Sequence, residues 1–173
     1  RGGWGAQGPA GRERVQQPPA AGKVVSRRSI PEIGATVLTL SNGVEVWLKP
    51  TDFKADQVVF SAYAPGGMSL ASEKDYKSAG LATAMVGIGG TGGLNPVEIN
   101  KLLAGKIANA QPQIGEYSQL ISGTSTPKDL ETALQLNYLT YTAPNMTPDV
   151  LELVKRRLTG ALQNRDSNPR AAF

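Results

Sequence analysis

The stretch Thr36-Val37-Leu38-Thr39-Leu40-Ser41-Asn42-Gly43-Val44-Glu45-Val46-Trp47-Leu48 decides how this chain begins to fold. Two β-rich runs flank Asn42-Gly43, a dipeptide that supplies the positive φ angles of a tight hairpin turn. Alternation in the second run predicts Val44, Val46 and Leu48 on the core side, with Glu45 and Trp47 opposite. Downstream, Gln57 to Ala64 reads as a third strand, stopped by Pro65-Gly66-Gly67. Upstream, order is expected to begin near Pro31. Residues 1–29 are rich in Gly, Pro, Gln and Arg, a composition that buries too little apolar surface to offset ordering entropy. They read as a flexible basic linker.

Helical spacing governs most of the remainder. A helix is predicted from about Tyr76 to Met85, broken by Gly87-Ile88-Gly89-Gly90-Thr91-Gly92-Gly93. Asn95-Pro96 restarts a helix, with asparagine as N-cap and proline in the first turn, carrying Val97, Ile99, Leu102 and Leu103. Lys106 to Pro112 and Glu116 to Ser122 read as strands around a turn at Gln113 to Gly115. Thr126-Pro127-Lys128-Asp129 then caps a helix spaced by Leu130, Ala133, Leu134, Tyr138 and Tyr141. Thr147-Pro148-Asp149 opens a last helix, whose Leu151, Val154, Leu158, Ala161 and Leu162 form an apolar stripe. Hairpin-linked strands followed by paired helices predict an α+β fold, an antiparallel sheet with helices packed on one face. Residues 30–173 would form one domain, and the lack of a closing strand signal before Phe173 predicts truncation within it.

Composition excludes more chemistry than any single residue suggests. The 173 residues include no histidine and no cysteine. That removes zinc sites built on those ligands, thiolate nucleophiles, disulfides and every triad that needs an imidazole base. No D-x-[DN]-x-[DN]-G calcium loop occurs, and no apolar run approaches the ~20 residues of a membrane helix. The pI near 9.4 would suit a nucleic-acid binder, so the location of the charge matters. Residues 1–29 carry +5 and residues 30–173 carry −1, so the basicity belongs to the leading segment rather than to a folded face.

Gly87 to Gly92 matches G-x-G-x-x-G literally, but a dinucleotide site needs the glycines to follow a strand and open a helix. Here the preceding segment reads as helix, and Asn95-Pro96 sets the next helix start beyond the glycines; a helix-to-helix loop is the expectation. Gly105-Lys106 lacks the upstream glycine of a phosphate loop. Lys128, Asp129 and Glu131 read as capping and surface charge, Asp52 and Asp56 as loop residues. Ser118, Ser122 and Ser125 have no base to activate them. No catalytic constellation remains.

Several segments together resemble the insulinase/pitrilysin family of zinc peptidases, in particular its PqqL-like bacterial members. They are Leu40 to Phe53, Phe60 to Gly67, Leu103 to Lys106, Ser125 to Thr132 and Tyr141 to Pro144, so the resemblance runs from about Gly34 to the end of the chain. It implies the metallohydrolase fold shared with LuxS and the mitochondrial processing peptidases. Catalytic domains of the family carry H-x-x-E-H after Gly-Leu-Ala, the histidines binding zinc and the glutamate activating water. Here Gly80-Leu81-Ala82 precedes Thr83-Ala84-Met85-Val86-Gly87, which sets Thr83 and Gly87 at the histidine positions and Val86 at the glutamate position.

The resemblance therefore implies the start of a non-catalytic second half, with no catalytic, metal or cofactor residues of its own and zinc held by the catalytic half of the same protein. It also implies a peptide substrate enclosed between the halves and a periplasmic or envelope location. Substrate in the family's catalytic domains pairs with an exposed edge strand, whose counterpart is expected around Glu116 to Ser122. Two other readings stand beside this one: a stand-alone scaffold with the same fold, and a nucleotide-binding α/β domain using Gly87 to Gly93.

Overall fold

The computed structural model describes residue 20 and residues 22–163, which divide into two compact units between Asp56 and Gln57. The first holds β1 (Val24–Ile30), β2 (Ala35–Leu40) and β3 (Glu45–Leu48) in one antiparallel sheet of that order. The hairpin forms, with Thr36 paired to Leu48 and Thr39 to Glu45, but of the dipeptide only Gly43 takes a positive φ, 85°; Asn42 does not, and its Oδ1 accepts from Val44 N instead.

Two expectations change in this unit. The expected linker 1–29 gives way to a strand at Val24, because β1 runs antiparallel to β2 from Val24 opposite Leu40 to Ile30 opposite Ala35. Its side chains through Ser29 are exposed, so a ladder of backbone hydrogen bonds orders it, and composition carries no trace of that. Residues 1–19 and 21 of the expected linker lie outside the described residues. The expected face assignment of β3 is met only in part. Ala35 and Val37 are the buried residues of the sheet; within β3 Val46 is the least exposed residue, whereas Val44, Trp47 and Leu48 are all about half exposed. Arg28 lies 5.4 Å from the Trp47 ring centroid and 3.9 Å from Glu45, so two arginines of the supposed tail, Arg27 and Arg28, belong to the sheet.

The second unit has its own antiparallel sheet, ordered β4 (Val58–Pro65), β6 (Ser118–Ser125), β5 (Gln111–Ile114). The α+β class and its antiparallel pairing hold, with the strands shared between two three-stranded sheets. One face of the second sheet carries buried Ile121 and Ser125, and α4 (Leu130–Thr142) packs against β6 there. Between β4 and β5 run α1 (Tyr76–Ala79), α2 (Ala82–Gly89) and α3 (Pro96–Leu102); α5 (Pro148–Gln163) follows α4 and packs on α2.

The expected helix from Tyr76 splits at Gly80-Leu81, and α2 passes through Gly87 to end at Gly90, where φ is 79°. Gly87 is thus helical rather than a breaker; the positive φ that stops the helix falls three residues later. Asn95 caps α3 as expected, accepting from Val97 and Glu98 amides while Glu98 accepts from Asn95 N in a full capping box. Strands β5 and β6 start five and two residues later than expected, with the turn at Gly115 to Tyr117. Both long helices are rotated from their predicted stripes. In α4 the buried residues are Ala133 and Thr140, leaving Leu134 and Tyr141 exposed. In α5 Val154 is buried while Leu151, Leu158 and Leu162 are exposed.

Candidate functional site

A cleft of about 500 Å³ opens between α2, α3, the start of β5 and α4. Its α2 wall is Thr83, Ala84, Val86 and Gly87. Residues three and four apart on a helix share a face, so positions 83, 86 and 87 necessarily present together. The three residues that the resemblance sets at the metal motif therefore line one cavity. Their chemistry is another matter: Thr83 offers a single hydroxyl, Val86 only methyl groups and Gly87 no side chain. Zinc takes imidazole, thiolate or carboxylate donors, so this set does not fit the ion, and valine has no proton to exchange. Among the described residues no three of His, Cys, Asp or Glu gather in a metal-holding cluster.

The other walls complete an uncharged lining. Pro96, Ile99 and Asn100 come from α3, Gln111 and Pro112 from β5, and Leu136 and Thr140 from α4. Two hydroxyls are already committed: Thr140 Oγ1 donates to Leu136 O at 2.8 Å, and Thr91 Oγ1 to Leu139 O at 2.5 Å and Ala143 O at 3.0 Å. The side chains of Thr83, Asn100 and Gln111 hold no hydrogen bond to described protein groups. At the mouth, Gly87 is exposed, and a Cβ added there meets nothing within 4 Å.

The glycine loop beside this cleft is a structural tie. Every amide from Gly90 to Leu94 is taken: Gly90 N by Val86 O, Thr91 N by Leu94 O, Gly92 N by Ala143 O, Gly93 N by Asn145 Oδ1 and Leu94 N by Thr91 O. Asn145 Nδ2 closes the knot on Gly89 O and Leu94 O, both at 2.9 Å. A pyrophosphate cradle needs those amides free and a strand before them; here they are spent and a helix precedes. The nucleotide-binding reading of Gly87 to Gly93 is corrected on that ground. Asn145, which performs this work, escaped the sequence reading because its partners lie more than 50 positions away.

No titratable residue is among those that line the cleft. Asp129 is buried rather than a surface charge, accepting from Ile107 N at 3.0 Å and Thr126 Oγ1 at 2.9 Å. Those two bonds, the amide first, hold its carboxyl below the ordinary range. Glu116 beside Tyr117 raises that phenol, and burial raises Tyr141. Lys128 and Glu131 remain exposed, as expected, while Asp52 and Asp56 sit in the loop between β3 and β4. Of the three serines, Ser125 is buried with its Oγ unpartnered, and none faces a base.

The expected edge strand is also corrected. Strand β6 holds most of Glu116 to Ser122 and is central, paired with β4 on one side and β5 on the other. Pairing is nonlocal, so the span alone could not reveal its neighbours. Among the described residues the outer strands are β4 and β5, and β5 supplies Gln111 and Pro112 to the cleft. Pro112 lacks an N–H and suits an outer strand.

No family model matches the chain. Over 163 residues it is 32% identical to a protein named "Zinc protease PQQL-like" from Arabidopsis thaliana, covering 93% of this chain and 14% of that protein. A "Probable zinc protease PqqL" from Haemophilus influenzae is 30% identical over 117 residues, 68% of this chain and 13% of the relative. Among solved structures, the periplasmic protease PqqL of Escherichia coli superposes with a TM-score of 0.75 at 19% identity, over 92% of this chain and 18% of its own. A mutant ferredoxin protease FusC in complex with Arabidopsis ferredoxin superposes at 0.74 and 19% identity, over 89% and 17%. The chain thus spans about one seventh of the length of the curated relatives it matches.

Proposed function

The chain belongs to the PqqL-like family of zinc proteases, and on that premise we propose that it is a non-catalytic, substrate-enclosing segment of such a protease. The observation that carries this reading is the α2 face: Thr83, Val86 and Gly87 line one cleft and bring neither a metal donor set nor a proton-transfer group to it. Zinc, held by another part of the parent protein, would polarise the scissile carbonyl and generate the attacking hydroxide. The residues of this chain would bind and orient the peptide and keep water from it. Strand β5 is the element suited to backbone pairing with an extended substrate, since its ladder to β6 occupies only one side among the described residues. Residues 1–23 would act as the linker to the catalytic half. A periplasmic or envelope location is part of the same proposal, supported by the E. coli relative; no described helix is long and apolar enough to cross a membrane.

The purified 173-residue chain tests the proposal. Metal analysis after equilibration with zinc is expected to find far less than one ion per chain, and the chain is expected to leave peptides uncleaved. Near-stoichiometric zinc, or zinc-dependent cleavage, refutes it. The stand-alone scaffold reading predicts a parent reading frame with no H-x-x-E-H before this segment, so sequencing that frame separates the two.

A further inference from the structure

The same cleft carries a statement about which peptides it accepts. We infer that the face left by the lost metal motif is a side-chain pocket selective for an uncharged, apolar residue of an extended peptide; this rests on the substrate-enclosing reading above. A volume of about 500 Å³ falls within the roughly 300–1,000 Å³ of ligand pockets. Val86, Ile99, Pro112 and Leu136 provide an apolar surface for burial. No lining residue carries a charge, so an Asp, Glu, Lys or Arg entering would lose hydration and gain no counter-ion.

Orientation follows from the polar groups that remain available. Thr83, Asn100 and Gln111 have uncommitted side chains, and their hydroxyl and amides match peptide N–H and C=O groups. Gln111 and Pro112 belong both to the cleft and to outer strand β5, so a peptide laid along β5 passes the opening. Alternate residues of such a strand point to the same side, and one of them can enter while its neighbours stay outside. Gly87 keeps the mouth open: a histidine or any larger side chain at that position would project into the space that a guest residue needs.

The experiment titrates two fluorescein-labelled pools of short peptides onto the 173-residue chain, with anisotropy as the readout. The pools share randomised flanks and differ at the central residue, Leu in one and Asp in the other. The Leu pool is expected to bind saturably and the Asp pool at least about tenfold more weakly. Gly87→Leu, whose Cβ would meet nothing within 4 Å, adds an apolar side chain to the cleft wall and is expected to weaken the Leu pool by a similar factor while the thermal unfolding curve is retained. Gly160→Ala in α5, outside the cleft lining and with nothing within 4 Å of the added Cβ, is the control, expected to retain the binding. Equal affinity for the two pools, unchanged binding by Gly87→Leu, or no saturable binding of either pool overturns the pocket. Each of these results is distinct from zinc uptake or cleavage, which would overturn the parent reading instead.

Discussion

Two glycines of α2, two positions apart, should respond to alanine with opposite signs. At Gly87 an added Cβ meets nothing within 4 Å. Alanine there should stabilise the chain by about 0.5–1 kcal/mol, the ordinary helix-interior difference between the two residues. At Gly89 the same atom would lie 2.5 Å from Asn145 O and 3.0 and 3.1 Å from the Val150 methyl groups. The oxygen belongs to the backbone, and Val150 is in the first turn of α5, so neither can swing aside. Overpacking of this kind costs about 1–3 kcal/mol, against the same helical gain, for a net loss of about 0.5–2 kcal/mol. Urea unfolding followed by helical circular dichroism reads both. With a slope of roughly 2 kcal/mol per molar, the Gly87→Ala midpoint should rise by about 0.25–0.5 M and the Gly89→Ala midpoint fall by about 0.25–1 M. Two alanine variants of equal stability would refute the close approach of α2 to α5 that positions the cleft's α2 wall.

Asn145→Ala removes three hydrogen bonds that hold the glycine loop and should cost about 2–3 kcal/mol, visible as a lowered Tm. Ser125→Ala deletes a buried hydroxyl that has no partner, and should leave stability unchanged or raise it by about 1 kcal/mol in urea titration. Asp129 has a folded-state pKa lowered from 3.8, so its stabilisation is complete above that unfolded value and is lost as pH falls through the depressed one. The urea midpoint of the parent chain should therefore exceed that of Asp129→Asn near neutral pH, with the gap closing in strong acid. A gap that widened on acidification would contradict the Ile107 and Thr126 bonds as its source.

Local chemistry was legible without coordinates. The Asn42-Gly43 hairpin and the Asn95-Pro96 cap depend on backbone preferences and on partners within a few residues; the cap forms as read, and the hairpin forms with positive φ at Gly43 alone. The lack of histidine and cysteine excluded their zinc, thiolate and imidazole chemistry outright, because no arrangement of a chain can supply a side chain it does not contain. What required the tertiary structure was every relation between distant residues. Strand β1 is ordered by its ladder to β2 although its own composition reads as linker. The faces that α4 and α5 bury are rotated from their apolar stripes, since periodicity fixes spacing along a helix and its neighbours choose the angle around it. The glycine run keeps its sequence but loses its free amides to Ala143 and Asn145. Positions 83, 86 and 87 share a helix face from spacing alone; only packing against α3, β5 and α4 turns that face into the wall of a cleft.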